Sequence, residues 1–394
     1  MADLKLLDQV QFIYELSLAK LELLSLGAEF EVSNDLRCFN LINDDLSDKI
    51  IKASSYFKTV GQTPTDYSYI IKANRTRSAN QYLTHWIYPY KGKFHPQMVR
   101  ALLNIIGMQK GDTVLDPFSG SGTTALESQL LGINFIGFDV SPLCVLQGKV
   151  KTQSIPAIDE IVKHKDSVFS NLMPSLFSDE TDFYKTIQDI EDEGARNFFM
   201  LARLLALSDQ SKRRRNFEKS FFNNVNLMLD SVKDYKKISE ELQLTLGTTN
   251  ISLADSRKMN LPDNSIDGIV TSPPYSIALD YVKNDAHSLE DLGFNLNEIK
   301  EEFIGVHGKN GDKIDLYKSD MEKVYSEMYR VLKSDKYAVV VIGNAVYHGQ
   351  EIDTVGFTID YMSKIGFKLE QNILKIIFGL YNVMNKENIL IFKK

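Results

Sequence analysis

One segment, residues 111–140, constrains the fold more than any other part of this sequence. It reads GDTVLDPFSGSGTTALESQLLGINFIGFDV: an apolar run ending at Asp116, a glycine-rich turn, a helical pattern, and a second apolar run ending at Asp139. A strand, a crossover helix and a second strand form a βαβ unit, whose two strands lie parallel in one sheet. We therefore predict an α/β fold with a mainly parallel sheet.

The rest of the chain divides around this unit. Strand and helix patterns alternate within residues 81–150 and again within 248–394, so these two stretches are predicted to form one α/β domain. Residues 151–247 contain long helical patterns and are predicted to be a helical insert. Residues 1–80 are predicted to be a helical N-terminal extension, because leucine and phenylalanine recur there at three- and four-residue spacing.

The composition is that of an ordinary globular protein. Of the 394 residues, 43% are hydrophobic and 25% are charged, which predicts a sizeable core. The N-terminus lacks an apolar signal core and no apolar segment reaches membrane-spanning length, so we expect a soluble, cytoplasmic protein. The two cysteines, Cys38 and Cys144, lie far apart, and no spacing of His, Cys and acidic residues supports a metal site. We therefore expect neither a disulfide framework nor a bound metal.

The glycine-rich turn carries residues suited to a small-molecule site. Glycines let a ligand approach the backbone, and the start of the following helix offers free N–H groups. The turn lacks the Lys-Ser/Thr ending of a phosphate-binding loop, and the carboxylate of Asp116 suits a cofactor with a positive amino group better than a pyrophosphate. Asp139 is suitably spaced to bind ribose hydroxyls. An ordinary tight turn between a strand and a helix is the alternative.

A second segment, DGIVTSPPYSIALDY at residues 267–281, has an unusual strand end. Its apolar run is typical of a buried strand, yet it leads into two prolines, which cannot donate to a sheet. The strand is therefore predicted to stop at a stiff turn tipped by an aromatic residue. Asp255 ends the preceding strand-like run; it could accept a hydrogen bond from an adenine amino group or be a solvated loop residue.

Three motifs together resemble the bacterial DNA methyltransferases that modify exocyclic amino groups. They are DPFSGSGTT, ADSRKMNLPDNSIDGIVTSPPY and FHP, and the resemblance covers about residues 85–150 and 248–394. Enzymes of this family use S-adenosylmethionine to methylate cytosine N4 or adenine N6. The resemblance implies a Rossmann-like S-adenosylmethionine-dependent methyltransferase fold, with residues 81–150 and 248–394 as its catalytic domain.

The resemblance also assigns roles to individual residues. The turn residues and Phe94-His95-Pro96 would surround the methionine part of the cofactor, while Asp139 would bind its ribose and Asp255 its adenine amino group. The residues expected to bind the cofactor are Phe94, His95, Pro96, Asp116, Phe118, Gly120, Gly122, Thr123, Asp139 and Asp255. The residues expected to be catalytic are Ser272, Pro273, Pro274 and Tyr275.

The chemistry of an exocyclic amino group explains the stiff turn. Such a group is a poor nucleophile because its lone pair is delocalised into the ring, and acceptors placed at its two protons help to localise that pair. Ser272 Oγ and the Pro273 carbonyl are the candidate acceptors, and the prolines hold them in position. Tyr275 offers a face on which a flipped-out base can stack. Methylation at cytosine C5 would need a cysteine that directly follows a proline, and neither Cys38 nor Cys144 follows a proline.

The target is not uniquely determined by these residues. In the family, a serine before the two prolines is more typical of cytosine-N4 enzymes, and Asp or Asn of adenine-N6 enzymes, so Ser272 favours cytosine. An adenine-N6 enzyme, an RNA amino-methyltransferase and a non-catalytic regulator that binds cofactor or DNA are the alternatives. A DNA methyltransferase of this type is expected to belong to a restriction-modification or defence system and to have a separate cognate endonuclease as a partner.

Two regions are candidates for binding double-stranded DNA. The first is the insert, with Arg203 and the basic run Lys212, Arg213, Arg214 and Arg215. The second is the segment after the catalytic turn, with Lys309 and Lys313. Basic side chains neutralise DNA phosphates. Because the net charge of the protein is −7, it needs a local basic surface in order to hold DNA. A solvated helix face is the alternative interpretation of the basic run.

Overall fold

The N-terminal region is built on a small antiparallel sheet. The computed structural model describes residues 2–33, 35–90, 92–172, 180–274, 281–306, 312–347, 349–378 and 384–394. Five strands pair in the order β2-β3-β1-β4-β5. Their bounds are β1 Ala2–Leu6, β2 Phe30–Val32, β3 Cys38–Leu41, β4 Phe57–Val60 and β5 Thr63–Pro64. The helices of this region are α1 Ile13–Leu26, α2 Ser47–Ala53 and α3 Asp66–Ile70.

The prediction of a helical N-terminal extension is therefore wrong in part. Helix α1 forms within the segment with helical periodicity, and Gly27 ends it in the left-handed region at φ 91°. The strands around it are short, and β1 pairs with residues more than 30 positions away in the chain, such as Leu4 with Phe39. Strands of two to five residues carry too little alternation to be distinguished from a helix by periodicity alone.

A buried carboxylate joins this region to the rest of the molecule. Glu22 of α1 is fully buried and accepts hydrogen bonds from the Ser55 amide at 3.0 Å and from Asn104 Nδ2 at 2.8 Å. Asn104 belongs to α4, which spans Pro96–Ile105. Burial raises the pKa of Glu22, and these donors counteract that effect. The N-terminal region and α4 thus share polar as well as apolar contacts.

A seven-stranded sheet forms the centre of the α/β domain. Its strands are β6 Thr113–Asp116, β7 Asn134–Asp139, β8 Thr249–Leu253, β9 Ile266–Thr271, β10 Leu332–Ile342, β13 Lys368–Phe378 and β14 Met384–Lys393. They lie in the order β8-β7-β6-β9-β10-β14-β13. Only the pairs made by β14 are antiparallel, so the predicted mainly parallel, Rossmann-like sheet is confirmed.

The strand order creates a switch point between β6 and β9. The chain moves outward from β6 to β7 and β8 on one side, then returns to place β9 on the other side of β6. In open α/β sheets, the crevice outside the carboxyl ends of the strands at such a point is where ligands bind. Asp116 ends β6 and Thr271 ends β9, so both residues lie at this crevice.

Both faces of this sheet are covered, which explains the continuous apolar strands. In β10, Val339 and Val341 belong to the core on one face, whereas Val340 belongs to the core on the other. A strand buried on both faces has no polar side to alternate with. The covering helices include α4, α5 Thr123–Leu130, α6 Pro142–Gln153, α13 Asp312–Val331 and α14 Thr354–Lys364.

The insert is helical, as predicted, and has its own apolar core. Its helices are α7 Ile158–Leu172, α8 Glu180–Gln188, α9 Glu193–Arg213 and α10 Phe217–Glu241. The core also includes residues of α11 Tyr281–Asp291 and α12 Leu296–Glu302, which follow the two prolines of the predicted stiff turn in sequence. The short hairpin β11 Ala345–Tyr347 and β12 Gln350–Ile352 completes the described elements. Among these helices, none is both long and apolar enough to cross a membrane.

Candidate active site

The glycine-rich turn connects β6 to α5 at the switch point. Gly120 and Gly122 both adopt positive φ, at 48° and 77°. A Cβ atom at Gly122 would lie 2.8 Å from the Cα atom of Gly148 in α6. Gly122 is therefore required for the close approach of α5 and α6, whereas Gly120 lies next to the ring of Tyr90 in the wall of the pocket described below.

Asp116 is buried at the end of β6 and is held by three donors. Its carboxylate accepts hydrogen bonds from Thr271 Oγ1 at 2.7 Å, from Thr124 Oγ1 at 2.8 Å and from the Phe118 amide at 3.0 Å. Burial nevertheless raises the pKa of Asp116 to about 6. The carboxylate is thus oriented by β9 and by α5 at the same time, and it is still a poorly solvated negative charge.

Asp139 ends β7 and holds the neighbouring part of the turn. Its carboxylate accepts hydrogen bonds from the Gly120 amide and the Ser141 amide, each at 2.8 Å. Loss of surrounding water raises the pKa of Asp139 to about 6, although these two donors oppose the shift. Two carboxylates with raised pKa values therefore lie at the ends of adjacent parallel strands, an arrangement suited to a cationic ligand.

Asp255 lies just beyond the end of β8 and is paired with an arginine. Arg257 Nε contacts both carboxylate oxygens of Asp255, at 3.0 and 2.9 Å, and Arg257 Nη1 contacts Asp320 of α13 at 3.0 Å. Asp255 is half-buried, so its carboxylate is accessible from the pocket while the arginine holds its orientation. The interaction of Arg257 with Asp255 was not predicted from the sequence.

The end of β9 brings the proline-rich turn to the same crevice. Thr271 is fully buried, and Ser272, Pro273 and Pro274 follow it along the pocket wall. Tyr275 lies outside the described residues, so its stacking role stays a prediction. The strand therefore ends where the two prolines predicted, at the carboxyl edge of the sheet beside Asp116.

These segments enclose one pocket with an empty volume of about 1030 Å³, part of it open to solvent. Ten of the residues predicted to form the site line it: Phe94, Asp116, Phe118, Gly120, Thr123, Asp139, Asp255, Ser272, Pro273 and Pro274. Three predicted cofactor residues do not line it: His95, Pro96 and Gly122. His95 and Pro96 begin α4, and desolvation lowers the pKa of His95 to about 3, so it is neutral at physiological pH. Neither cysteine lines the pocket, in agreement with the rejection of C5 chemistry.

Lys93 is a pocket residue that sequence reasoning missed. Its ammonium group donates hydrogen bonds to the His85 carbonyl at 2.6 Å and to Gln81 Oε1 at 3.2 Å. Burial lowers the pKa of Lys93 to about 7. It is the only cationic side chain among the described residues that line the pocket. Its position directly before Phe94-His95-Pro96 was the available clue.

The candidate DNA-binding residues differ in their surroundings. Arg203 forms an ion pair with Asp291 and lies over the ring of Tyr184, 4.8 Å from its centroid, so it is engaged within the protein. The run Lys212–Arg215 is exposed at the end of α9. Lys313 is in the first turn of α13, whereas Lys309 lies outside the described residues. Within the described ranges, no cluster of His, Cys, Asp and Glu could hold a metal ion.

The chemistry of the pocket residues fits S-adenosylmethionine. Acidic residues stand at or just beyond the ends of three adjacent strands: Asp116 after β6, Asp139 after β7 and Asp255 after β8. The cofactor carries an ammonium and a sulfonium group, ribose hydroxyls and an adenine amino group, all of which carboxylates can bind. The positive φ of Gly120 lets the backbone approach such a ligand closely.

Comparison with known proteins agrees with this geometry. Residues 40–147 match the family model described as DNA methylase of the N6/N4 type. The predicted resemblance to the DNA amino-methyltransferases is confirmed. The matched segment includes the glycine-rich turn, Asp116 and Asp139, and S-adenosylmethionine is the cofactor that the pocket fits.

Two curated relatives extend the similarity over more of the chain. Type II methyltransferase M.BsoBI from Geobacillus stearothermophilus is 26% identical over 324 residues, which is 65% of this chain and 63% of that protein. Type II methyltransferase M.MjaII from Methanocaldococcus jannaschii is 31% identical over 159 residues, which is 40% of this chain and 28% of that protein. The matches thus span less than two thirds of either relative.

A solved structure that the chain matches is an S-adenosylmethionine-dependent methyltransferase from Methanosarcina mazei. It is 12% identical to this chain and has a TM-score of 0.35, and the match covers 73% of this chain and 94% of that protein.

Proposed function

We propose that this protein is an S-adenosylmethionine-dependent DNA methyltransferase that modifies the exocyclic amino group of a flipped-out base. The observation that carries the proposal is the meeting of two segments at one pocket. Ser272, Pro273 and Pro274 line the same cavity as Asp116 and Asp139, although the two groups lie far apart in sequence. A cofactor site without an acceptor turn would support many methyl transfers, but this combination supports transfer to an amino nitrogen.

The chain's own residues would prepare the amino group for attack. Bound S-adenosylmethionine supplies an electrophilic methyl group at this site. Ser272 Oγ and the Pro273 carbonyl would accept hydrogen bonds from the two amino protons, which localises the nitrogen lone pair. The prolines restrict the backbone, so these acceptors need little reorganisation. The hydrogen bond from Thr271 to Asp116 fixes the turn relative to the cofactor pocket.

Lys93 extends this proposal to the carboxylate of the cofactor. The cofactor's methionine group carries a carboxylate as well as an ammonium, and the acids of the pocket can bind only the latter. Lys93 is the cation available on the pocket wall among the described residues. Its two hydrogen bonds to protein acceptors leave a third N–H for a ligand.

The proposed target is cytosine N4, with adenine N6 as the alternative. The serine before the two prolines supports cytosine, because the family more often places Asp or Asn there in adenine enzymes. The type II relatives also support a role beside a separate cognate endonuclease in a restriction-modification system. RNA is the other substrate class to be tested.

Product analysis tests the reaction and the base together. The purified protein would be incubated with S-adenosylmethionine and mixed-sequence duplex DNA, and in parallel with total RNA, before digestion to nucleosides and mass spectrometry. N4-methylcytosine in DNA, absent with the Pro273→Ala and Ser272→Ala variants, is the expected result. N6-methyladenine in DNA would support the proposed mechanism but refute cytosine as the target base. Methylated RNA with unmodified DNA would refute the DNA assignment.

A further inference from the structure

Helix α9 of the insert lies antiparallel to α11, the helix that follows the catalytic turn. Arg203 of α9 pairs with Asp291 at the end of α11. Tyr88 forms a second connection: its hydroxyl is 2.6 Å from Ser288 Oγ of α11, and Ser208 of α9 lies near the same hydroxyl. Residues further along α9 therefore have contact partners nearer to the start of α11.

The C-terminal end of α9 consequently lies nearer to the start of α11 than Arg203 does. Burial lowers the pKa of His287 of α11, and the charge of Lys212 contributes to that shift, so Lys212 and His287 are near each other. His287 precedes Asp291 by about one helical turn. The contacts of α9 therefore shift toward Tyr281, the first residue of α11, as α9 approaches its C-terminal end.

The arginines at this end of α9 carry more positive charge than their ion-pair partners among the described residues neutralise. Residues 210–216 are all exposed. Arg213 and Arg215 share one carboxylate, Asp209, at 2.7 and 3.5 Å. Arg214 has no ion pair in the described part of the chain. Within the described residues, three guanidinium groups therefore have one carboxylate between them, on a protein whose net charge is −7.

The favourable field at a helix C-terminus does not account for this arrangement. Basic residues in the last turn of a helix interact well with its dipole, but only the final turn benefits. Arg214 instead occupies the C-cap position at φ 53°, in the left-handed region where glycine is the residue that fits best. A side chain other than glycine is strained in that conformation. The chain thus places an exposed guanidinium, without an ion-pair partner among the described residues, where helix capping alone would favour glycine.

We propose that the basic end of α9, Lys212–Arg215, binds backbone phosphates of the DNA strand that enters the catalytic turn. The inference rests on the proposed function and adds the location of a sequence-independent contact surface. Guanidinium groups suit phosphate oxygens because they donate two parallel hydrogen bonds. Arg203 is excluded from this surface, because it is engaged with Asp291 and Tyr184. The surface joins the insert and the segment after the turn into one wall beside the site.

The test is the salt dependence of DNA binding by a variant with matched controls. The variant R213Q/R214Q/R215Q removes three charges from the end of α9. The control K233Q/K236Q/K237Q removes three exposed lysines from α10. These lysines flank Tyr235, whose hydroxyl donates a hydrogen bond to Gln129 near the C-terminal end of α5. The candidate site lies at the other end of α5, so the lysines are away from it.

The measurements are fluorescence anisotropy with labelled duplex DNA from 50 to 300 mM salt and calorimetry with S-adenosylhomocysteine. The arginine variant should lower DNA affinity at least tenfold at the low-salt end and make the slope of log K against log salt shallower by about 2 to 3, since each phosphate contact contributes about 0.9. The lysine control should change the slope by less than 1. Affinity for S-adenosylhomocysteine should stay within twofold in both.

The possible failures are distinguishable. Equal slopes of log K against log salt for the arginine variant and the lysine control would refute the proposal that the end of α9 binds phosphates. The proposed function would remain intact, provided that the wild-type protein methylates DNA. A wild-type protein that neither binds nor methylates DNA would overturn both proposals. Retained affinity for S-adenosylhomocysteine shows that the variants are folded. A shallower salt dependence of DNA binding in the arginine variant then supports the proposed phosphate-binding surface and is not explained by unfolding.

Discussion

Thr271 donates a hydrogen bond of 2.7 Å to Asp116, and this contact joins the two segments that form the candidate site. Thr271 is the last residue of β9 and directly precedes the turn with the two prolines, while Asp116 ends β6 and directly precedes the glycine-rich turn. The two strands are neighbours in the sheet. The position of the proposed acceptors relative to the cofactor pocket therefore depends on one buried contact at the switch point.

Replacing Thr271 by valine should impair catalysis more than cofactor binding. The change removes one donor to a buried carboxylate, a hydrogen bond worth about 1.5–3 kcal/mol, or roughly 10- to 100-fold in rate if the turn shifts. Thr124→Val is the matched control, because it removes the other hydroxyl donor to Asp116 but does not touch β9. Steady-state kinetics with duplex DNA would measure both. Equal losses of kcat would contradict a specific role for β9.

Cofactor affinity should decrease as the pH falls below about 6. The raised pKa values of Asp116 and Asp139, both about 6, mean that each carboxyl gains a proton in the folded protein at a mildly acidic pH. A protonated carboxyl no longer attracts a cationic ligand, so affinity should fall about tenfold per pH unit for each carboxylate involved. Calorimetry with S-adenosylmethionine between pH 5 and 8 would measure this. An affinity that does not vary between pH 5 and 7 would refute the ionised form as the binding form.

Lys93→Met should weaken cofactor binding by about 10- to 100-fold, the cost of losing one charge-assisted hydrogen bond. The pKa of Lys93 is lowered to about 7, so in the wild-type protein affinity should also decline as the pH rises through 7. The variant should lack this alkaline decline and keep the acidic one. Lys110→Met, at an exposed position, is the control. The same alkaline decline in both variants would show that Lys93 does not contact the cofactor.

Gly122→Ala should destabilise the protein more than Gly107→Ala. Both glycines have a similar positive φ, 77° and 75°, so the backbone strain of about 1 kcal/mol is common to the two changes. Only Gly122 would place its Cβ against another backbone, 2.8 Å from the Cα atom of Gly148. Overpacking of this kind costs a further 1–3 kcal/mol or so. Urea denaturation would compare the two, and equal losses would contradict the close approach of α5 and α6.

The turns and strand ends of the candidate site were largely predictable because they depend on local sequence preferences. Asp116 and Asp139 ended apolar runs, the glycines between them marked a turn, and Pro273 marked where a strand had to stop. Each of these inferences needs only the preferences of neighbouring residues for strand, turn or helix. The N-terminal sheet was missed for the opposite reason, since β1 is a strand only because β3 and β4 pair with it.

The contacts and burial of individual side chains could not be predicted from the sequence either. Arg203 was an attractive candidate for DNA binding until the packing of α9 on α11 placed Asp291 beside it. Lys93 was overlooked because a lysine between a glycine and a phenylalanine has no distinctive pattern, and its lowered pKa arises from burial by distant parts of the chain. Such properties depend on which segments become neighbours.

The sequence by itself determined the order along the chain of the sheet strands in the α/β domain, the glycine-rich turn, the acids at the strand ends and the stiff turn after β9. Only the tertiary structure decided that β6 and β9 lie side by side, so that Thr271 reaches Asp116 and both turns open onto one pocket. The physical reason is that turn and strand preferences are local, whereas the neighbours of a strand are chosen by the packing of both sheet faces against helices from distant parts of the chain.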